Sequence, residues 1–407
     1  MPAKPADMLT FAPPDRRRPA QLYDLIAKVF SGGRGYFGFR DYLTKGGYIQ
    51  DSHYDWSASR VGCLDGEPVT HVGVWDYRMR IGAARVRSGG IGVVATHGDF
   101  RKQGLMARTM DTTVQAMRQA GYDVSVLFGI SDFYYRFGYT RAWNATSWTV
   151  KVEDLPKDPP IGPVRHMVPR RRRPDLEALY NRHYAAVTGT AVRPTYARRP
   201  RQATDRGWLW LGANGRPAGY VAVRNWPEAP EVVEHAGQAQ QVLRVLGRQG
   251  RRYRVKELKF VGLPWDGELA GRLRKGNVRL AVEYARCGGA MIRVINLAST
   301  LAKISGELSR RLRASGQKGW TGRLRVQMPH EAADLICRQG RIGTVSPSGK
   351  ADHAIRGGWE VAQLLIGAGE PLEIADSHGI VTTGQARRLL PLLFADQHPV
   401  MCRWDLF

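Results

Sequence analysis

The stretch VVATHGDFRKQGLM, residues 93–106, decides how the N-terminal part of this 407-residue chain is interpreted. An apolar strand leads into it, a polar turn follows, and the segment from Arg101 to Gly104 opens a helix predicted to reach about Gln119. The start of such a helix offers unpaired N–H groups, the positive end of the helix dipole and two cationic side chains, which together suit a pyrophosphate. An ordinary strand-to-helix turn is the alternative. One apolar helix face is predicted from Met106, Met110, Val114 and Met117.

This segment resembles the acyl-CoA-binding motif of the GNAT N-acyltransferases, [R/Q]-x-x-G-x-[G/A]. Met106 departs from the motif, whose last position is usually glycine or alanine. In that family the strand before the helix and the strand after it splay apart, and the pantetheine arm enters the gap. The resemblance therefore implies acetyl-CoA as co-substrate and no metal. The cofactor-binding residues it implies are Val94, Thr96, Arg101, Lys102, Gln103, Gly104, Met106 and Ser131.

Residues 131–139, SDFYYRFGY, extend the resemblance beyond the next predicted strand. YYRFGY is similar to the Y-x-[R/K]-F-G-Y signature of many GNAT enzymes, above all those of the Eis type (enhanced intracellular survival). There the first tyrosine is the general acid, a role that the resemblance gives to Tyr134. The alternative is an aromatic plug over the core, which we favour for Phe137 and Tyr139.

The ending HPVMCRWDLF is similar to that of Eis-type proteins, whose C-terminal carboxylate acts as the catalytic base. Carried over, this assigns the base to the Phe407 carboxylate, whose pKa desolvation would have to raise. The alternative is an ordered hydrophobic tail. We further expect Asp405 to contact a cationic acceptor, and Tyr36 and Asp41 to lie near the acceptor pocket. His71 has no partner pattern and is expected to be a packing or surface residue.

The net charge of +25 raises the question of a nucleic-acid partner. The arginines are spread along the chain in short runs, and no recognition motif accompanies them. Solvated arginine on a small-molecule enzyme is the favoured interpretation, with the added effect of attracting anionic CoA. We therefore expect no specific nucleic-acid partner.

The cysteines and the apolar segments bear on the compartment. Four cysteines lie far apart without metal-ligand or disulfide spacing, which is typical of a reducing cytoplasm. No stretch has the length of a transmembrane helix, and the first 15 residues lack an apolar signal core. A cytoplasmic protein without a membrane partner is expected.

The order of predicted elements suggests three units. A β–α–α–β–β–β–α–β pattern with a final strand at Ser147–Val152 fits a GNAT fold over residues 1–153. A proline-rich linker follows, and the pattern repeats in outline over residues 154–288 without an Arg-x-x-Gly segment, as in the degenerate second unit of Eis-type proteins. Residues 289–407 resemble their sterol-carrier-like domain. The fold class expected is therefore α/β (α+β), with two GNAT-like mixed-sheet domains and an α+β domain.

The combined expectation is an acetyl-CoA-dependent N-acetyltransferase that transfers the acetyl group directly to a small-molecule amine or a lysine side chain. The resemblance also implies a homo-oligomer, a hexamer in the family. The alternative function is a lipid- or acyl-chain-binding protein that uses the sterol-carrier-like domain, with the GNAT half as a scaffold. A basic nucleic-acid-binding protein is a third, weaker alternative.

Overall fold

The computed structural model describes residues 9–31, 35–44, 48–49, 52–130, 132–167, 173–194, 205–284 and 289–407. These residues build three β-sheets, two with seven strands and one with five, and the helices pack against them. The mixed α/β architecture expected from the sequence is confirmed.

The first part of the chain follows the predicted order of elements closely. The amphipathic helix expected at the end of the 93–106 stretch begins at Leu105, directly after Gly104. The elements are β1 (Leu9–Ala12), α1 (Ala20–Phe30), α2 (Gly35–Thr44), β2 (Arg60–Leu64), β3 (Glu67–Ile81), β4 (Ala84–Thr96), α3 (Leu105–Gln119), β5 (Val124–Gly129) and β6 (Thr140–Trp143).

The second part repeats this pattern in outline, as expected, and contains two strands that the sequence did not reveal, Glu231–Ala236 and Arg279–Glu283. Its elements are β7 (Ala145–Lys151), β8 (Val164–Met167), α4 (Pro174–His183), β9 (Arg206–Leu211), β10 (Pro217–Arg224), β11 (Glu231–Ala236), α5 (Ala239–Arg252), β12 (Glu257–Val261), α6 (Glu268–Leu273) and β13 (Arg279–Glu283).

The last part of the chain begins with a strand of the first sheet and a long helix, and then forms the five-stranded sheet. Its elements are β14 (Gly289–Val294), α7 (Leu297–Ala314), β15 (Gly322–Met328), β16 (Glu331–Arg338), β17 (Arg341–Val345), β18 (His353–Arg356), α8 (Val361–Ile366), α9 (Pro371–Ser377), β19 (Val381–Thr383) and α10 (Ala386–Leu393).

The two seven-stranded sheets exchange strands. The first has the order β1-β2-β3-β4-β5-β14-β6, and the second has the order β13-β7-β12-β11-β10-β9-β8. The expectation that Ser147–Val152 completes the first domain is therefore wrong, because β7 pairs with β12 and β13. The strand that lies next to β5 is β14, paired from Gly289↔Gly129 to Val294↔Val124. The division of the chain at residues 153/154 and 288/289 stays a prediction. Strand pairing crosses both boundaries, because β7 pairs with β12 and β13, and β14 pairs with β5.

Helix α7 joins the five-stranded sheet to the first sheet. One continuous apolar core contains Trp75 and Ile292 from the first sheet and Leu324 and Leu335 from the third. Buried Asp123, just before β5, adds polar contacts to the start of α7. Its carboxylate accepts hydrogen bonds from Ser299 Oγ (2.6 Å) and Lys303 Nζ (2.5 Å).

Glu307 is a second polar junction on α7. Its buried carboxylate accepts hydrogen bonds from Arg311 Nε (2.8 Å) and from Arg310. Arg311 in turn donates to the Leu393 carbonyl at the end of α10 (2.9 Å). A Cβ at Gly82 would lie 2.4 Å from the Glu307 side chain, so the turn between β3 and β4 packs directly on this carboxylate. Burial alone would raise the pKa of Glu307, but the two arginines outweigh it and lower the pKa to about 2.

We predict that Glu307→Gln lowers the free energy of unfolding by roughly 3 kcal/mol at pH 7, because it leaves Arg311 buried without its anion. The pKa of Glu307 is lower in the folded state than the ordinary 4.5. The stabilisation is therefore full above about pH 4.5 and is lost as the pH falls toward 2. Urea unfolding at pH 7 and pH 3 should show a smaller difference between variant and wild type at pH 3.

The control is Arg310→Gln, since the Arg310 side chain is 60% exposed and its ion pair should contribute little. Equal destabilisation by Glu307→Gln at both pH values would contradict the assignment.

Candidate active site

A gap opens in the first sheet between β4 and β5. Their parallel pairing runs from Ser88↔Val124 to Ile91↔Leu127, and the register has no further pair although both strands continue. Beyond this point β5 pairs only on its other side, where Phe128 lies opposite Ala290. The splayed strands expected from the sequence are therefore present.

A β-bulge in β4 coincides with the start of the gap. Val93 and Val94 together lie opposite the single residue Val72, and Val93 has a positive φ of 43°. A bulge of this kind bends a strand and increases its twist, which turns the end of β4 away from its neighbour. After the bulge, the His97 N–H donates to the Val69 carbonyl on β3 (2.9 Å). Successive N–H groups of a strand alternate in direction, so those of Thr96 and Val94 point away from β3 toward the gap.

His71 stabilises the bulge from within the core, so of the two expected roles it has that of a packing residue, and it has hydrogen-bond partners that the sequence did not reveal. Its Nδ1 lies 2.9 Å from the Val93 carbonyl oxygen, and its Nε2 lies 2.7 Å from the Tyr54 hydroxyl. Burial lowers the pKa of His71 to about 4, so the ring is neutral at pH 7. A neutral imidazole fits this arrangement, with Nδ1–H donating to Val93 and Nε2 accepting from Tyr54.

The turn before α3 presents the residues expected to hold a pyrophosphate. Arg101, Lys102, Gln103 and Gly104 are all exposed. Arg101 Nε donates weakly to the Thr96 carbonyl (3.5 Å), which keeps the guanidinium beside the end of β4. Gly104 lies just before the helix with φ of 75°, and a Cβ added there would meet no atom within 4 Å. The start of α3 is therefore open to a ligand that approaches the backbone.

Met106, which departs from the motif, points elsewhere. Its side chain is partly buried and packs against the core cluster under α3, as does that of Val94. Both residues thus contribute main-chain groups near the gap and side chains to the core.

Tyr134 borders the gap on the β5 side. Its ring lies over the last residue of β5, since a Cβ at Gly129 would be 2.7 Å from Tyr134 Cδ2. Neighbouring Phe133 and Tyr139 pack against it with ring centroids 4.9 and 6.2 Å away. Burial, with a smaller effect from Tyr139, raises the pKa of Tyr134 to about 12, so the phenol keeps its proton at neutral pH. Phe137 and Tyr139 are buried, as the interpretation of a core plug expects.

The C-terminal residue lies on the opposite face of β4. The Phe407 ring covers Gly90, where a Cβ would be 2.5 Å from Phe407 Cδ1. Its ring centroid is 5.6 Å from that of Tyr77 and 5.5 Å from that of Phe128. Gly90 immediately precedes Ile91, the last residue of β4 that pairs with β5. The end of the chain therefore lies beside the point where the strands separate.

Four further residues were expected to contact the acceptor or the cofactor, and the structure corrects one of these expectations. Asp405 is not available to an acceptor, because its buried carboxylate accepts hydrogen bonds from Arg193 and from Tyr180. The Tyr36 hydroxyl donates to Asp24 (2.6 Å), and Asp41 is exposed on α2. Ser131, predicted to bind the cofactor, lies outside the described residues.

The thiols and the helices were two further features of the sequence-based interpretation, and the structure describes most of them. Cys63, Cys337 and Cys402 are free thiols, and Cys287 lies outside the described residues. Among the helices of the described part of the chain, none combines the length and apolar character needed to cross a bilayer.

Comparison with known proteins bears on this site. Residues 21–142 match the family model described as an acetyltransferase (GNAT) domain. The part of the chain that contains the gap is therefore a GNAT acetyltransferase domain. The match covers less than a third of the chain, and no curated protein sequence matches it.

Similar solved structures extend over nearly the full chain. A GCN5-related N-acetyltransferase from Anabaena variabilis superposes with a TM-score of 0.77 at 16% identity, covering 98% of this chain and 100% of the other. A conserved protein of unknown function from Enterococcus faecalis, a probable N-acyltransferase, gives 0.75 at 15% identity, with 97% and 98% covered. Eis1 from Mycobacterium abscessus gives 0.69 at 16% identity, with 95% and 97% covered. At these identities the likeness shows a shared fold.

Sequence reasoning missed the glycines that make room for the site. Gly90 and Gly92 lie on one face of β4, where Gly90 receives Phe407 and Gly92 receives Trp75, whose ring would be 2.8 Å from an added Cβ. The run Ser88–Gly92 carried a signal, because three glycines within five strand residues indicate close approach by other groups. His71 carried no such signal, since its partners lie on other segments.

Proposed function

We propose that this protein is an acetyl-CoA-dependent N-acyltransferase that transfers an acetyl group directly to an amine. The observation that carries the proposal is the gap between β4 and β5, which has the start of α3 beyond the end of β4, Tyr134 over the end of β5 and Phe407 on Gly90 beside it. Acyl transfer requires a neutral amine, stabilisation of the oxyanion and a proton for the departing thiolate. The groups around the gap have the chemistry for each requirement.

The pantetheine arm would lie in the gap, where the N–H groups of Val94 and Thr96 face it. The pyrophosphate would lie at the start of α3, which combines main-chain N–H groups with the cationic side chains of Arg101 and Lys102 and with Gln103. Met106 would contribute its main chain there, and Ser131 is assigned to the cofactor by the resemblance alone. The reaction as proposed needs no metal.

In the proposed reaction the amine nitrogen attacks the thioester carbonyl carbon, a C–N bond forms and the C–S bond breaks. The Phe407 carboxylate accepts the proton that the amine loses. Tyr134 donates its proton to the CoA thiolate as the thiolate departs. The raised pKa of Tyr134 keeps this proton in place at neutral pH. The Phe407 ring packs against Tyr77 and Phe128, and the proposed role requires that desolvation raise the pKa of the adjacent carboxylate.

The remaining features of the resemblance belong to the same proposal. They are a small-molecule amine or lysine acceptor, a sterol-carrier-like C-terminal domain, a homo-oligomer and a cytoplasmic location. The net charge of +25 supports recruitment of anionic CoA, without a specific nucleic-acid or membrane partner.

Gly104→Val should weaken acetyl-CoA binding at least tenfold, about 1.4 kcal/mol. The substitution places a branched side chain in the open space at the start of α3 and strains a backbone with φ of 75°. Isothermal titration with acetyl-CoA measures the effect. The matched control is Gly121→Val at the other end of α3, where φ is 77° and the space is equally open. Equal affinities of the two variants would refute a pyrophosphate site at Gly104.

Tyr134→Phe keeps the ring and removes the proton, so kcat should fall by roughly 10²–10⁴ while acetyl-CoA affinity barely changes. Release of the CoA thiol with an amine panel gives kcat, and titration gives the affinity. Tyr135→Phe is the control, because Tyr135 is 42% exposed and neighbours Tyr134 in the chain. If Tyr134→Phe keeps kcat within twofold, the proton donor is another group.

One or two glycines added after Phe407 should abolish turnover, because they move the terminal carboxylate by several ångströms. Thermal stability and acetyl-CoA affinity should persist, since the ring can stay on Gly90. The same glycines added at the N-terminus serve as the control. Full turnover of the C-terminally extended protein would show that the base lies elsewhere.

A further inference from the structure

The last residues of the chain are held by a buried ionic cluster supplied by the second part of the chain. Asp405 accepts two hydrogen bonds from Arg193, from Nε to Oδ1 and from Nη2 to Oδ2, both at 3.1 Å. Tyr180 on α4 donates to Asp405 Oδ2 at 2.9 Å. The Asp405 side chain is fully buried and that of Arg193 is 13% exposed.

Arg193 also binds a second carboxylate, so both of its ion-pair partners are buried carboxylates. Its Nη1 and Nη2 donate to Glu234 on β11 at 2.8 and 2.5 Å. Tyr220 on β10 donates to the same carboxylate at 2.5 Å. Burial would lower the pKa of Arg193, but Asp405 and Glu234 hold it well above the usual range. One guanidinium thus binds the tail and the second sheet at the same time.

The segment that carries Arg193 is itself bound to the first sheet. Residues 189–192 run beside the end of β3, where the Arg80 N–H donates to the Thr190 carbonyl (2.9 Å) and the Val192 N–H donates to the Arg78 carbonyl (2.8 Å). Asn181 on α4 accepts from the Arg193 N–H (2.9 Å) and from Arg80 (2.9 Å). Arg193 therefore has a fixed position relative to the strand that pairs with β4.

The tail has further contacts with this segment. The Val400 N–H donates to the Thr188 carbonyl (3.0 Å), and a Cβ at Gly189 would lie 2.6 Å from the Val400 carbonyl oxygen. The Asp405 N–H donates to the Cys402 carbonyl (2.9 Å), which folds the chain into a short turn. Only Leu406 separates Asp405 from Phe407.

We propose that Arg193, through Asp405, is a positioning residue that fixes the chain terminus over Gly90 beside the gap, and that holding it is a function of the degenerate second unit. The catalytic consequence rests on the proposed function, in which the Phe407 carboxylate is the base. The positional consequence does not depend on activity. A terminus two residues from a fixed anchor has little freedom, whereas a released tail would sample many positions and seldom reach the amine.

The test is Asp405→Asn, which keeps the shape of the side chain and removes its charge. Two measurements are made on the full-length protein. The first is the rate at which carboxypeptidase A releases Phe407, and the second is kcat with an amine acceptor together with acetyl-CoA affinity. We expect Phe407 release at least tenfold faster, kcat at least tenfold lower and acetyl-CoA affinity unchanged within twofold.

The matched control is Asp334→Asn in the third sheet. Asp334 is also fully buried and accepts two hydrogen bonds from Arg325, at 2.7 and 3.0 Å, with Arg323 as a second ion-pair partner at 3.7 Å. A general loss of stability from breaking a buried ion pair should appear in both variants as a lower Tm. Only Asp405→Asn should change the release of Phe407 and kcat.

The outcomes separate this proposal from the proposed function. Unchanged Phe407 release in a folded Asp405→Asn protein overturns the positioning role whatever the activity. Faster release without any acetyl transfer by the wild type supports the positioning role and refutes the transferase proposal. Faster release with unchanged kcat, in a wild type that is active, overturns the catalytic part of the inference.

Discussion

The loss of pairing between two adjacent strands is the constraint on which the site depends. β4 and β5 are held together up to Ile91↔Leu127 and then diverge, which leaves main-chain groups without strand partners inside a well-packed domain. Such an opening is costly unless a ligand or other groups satisfy it. The bulge at Val93, fixed by neutral His71, makes the divergence a stable part of the fold. Helix α3, Tyr134 and Phe407 lie around the gap.

The three sheets make different contributions to this opening. The first sheet provides the gap, and the second provides Arg193, Glu234 and Tyr180, whose polar groups are used to hold the C-terminal segment. The third sheet shares a continuous core with the first through α7 and carries the chain back toward β4. The second part of the chain has no Arg-x-x-Gly segment before α5, and its buried charges bind the C-terminal segment.

The sequence predicted much of this structure, and the exceptions have a physical cause. Helix α3 could be predicted because its apolar periodicity is a local signal, and the gap was implied by the family resemblance that the 93–106 stretch carries. β11 was missed because its residues include Glu234 and His235, which are buried through pairing rather than through apolar character. The partners of Asp405 were missed because Arg193 and Tyr180 are distant from it in the chain. Interactions between distant polar residues leave no periodic pattern in a sequence.

The exchange of strands has a consequence for how the protein is made. On the ribosome, β5 emerges long before β14, yet Gly129 pairs with Gly289 and Val124 with Val294. Until then the edge of β5 is open, and an open apolar edge invites pairing with the wrong strand or another chain. The first sheet can be completed only after the second has been synthesised. The nascent chain must therefore protect that edge while the residues between Gly129 and Gly289 are translated, through a chaperone or through provisional contacts.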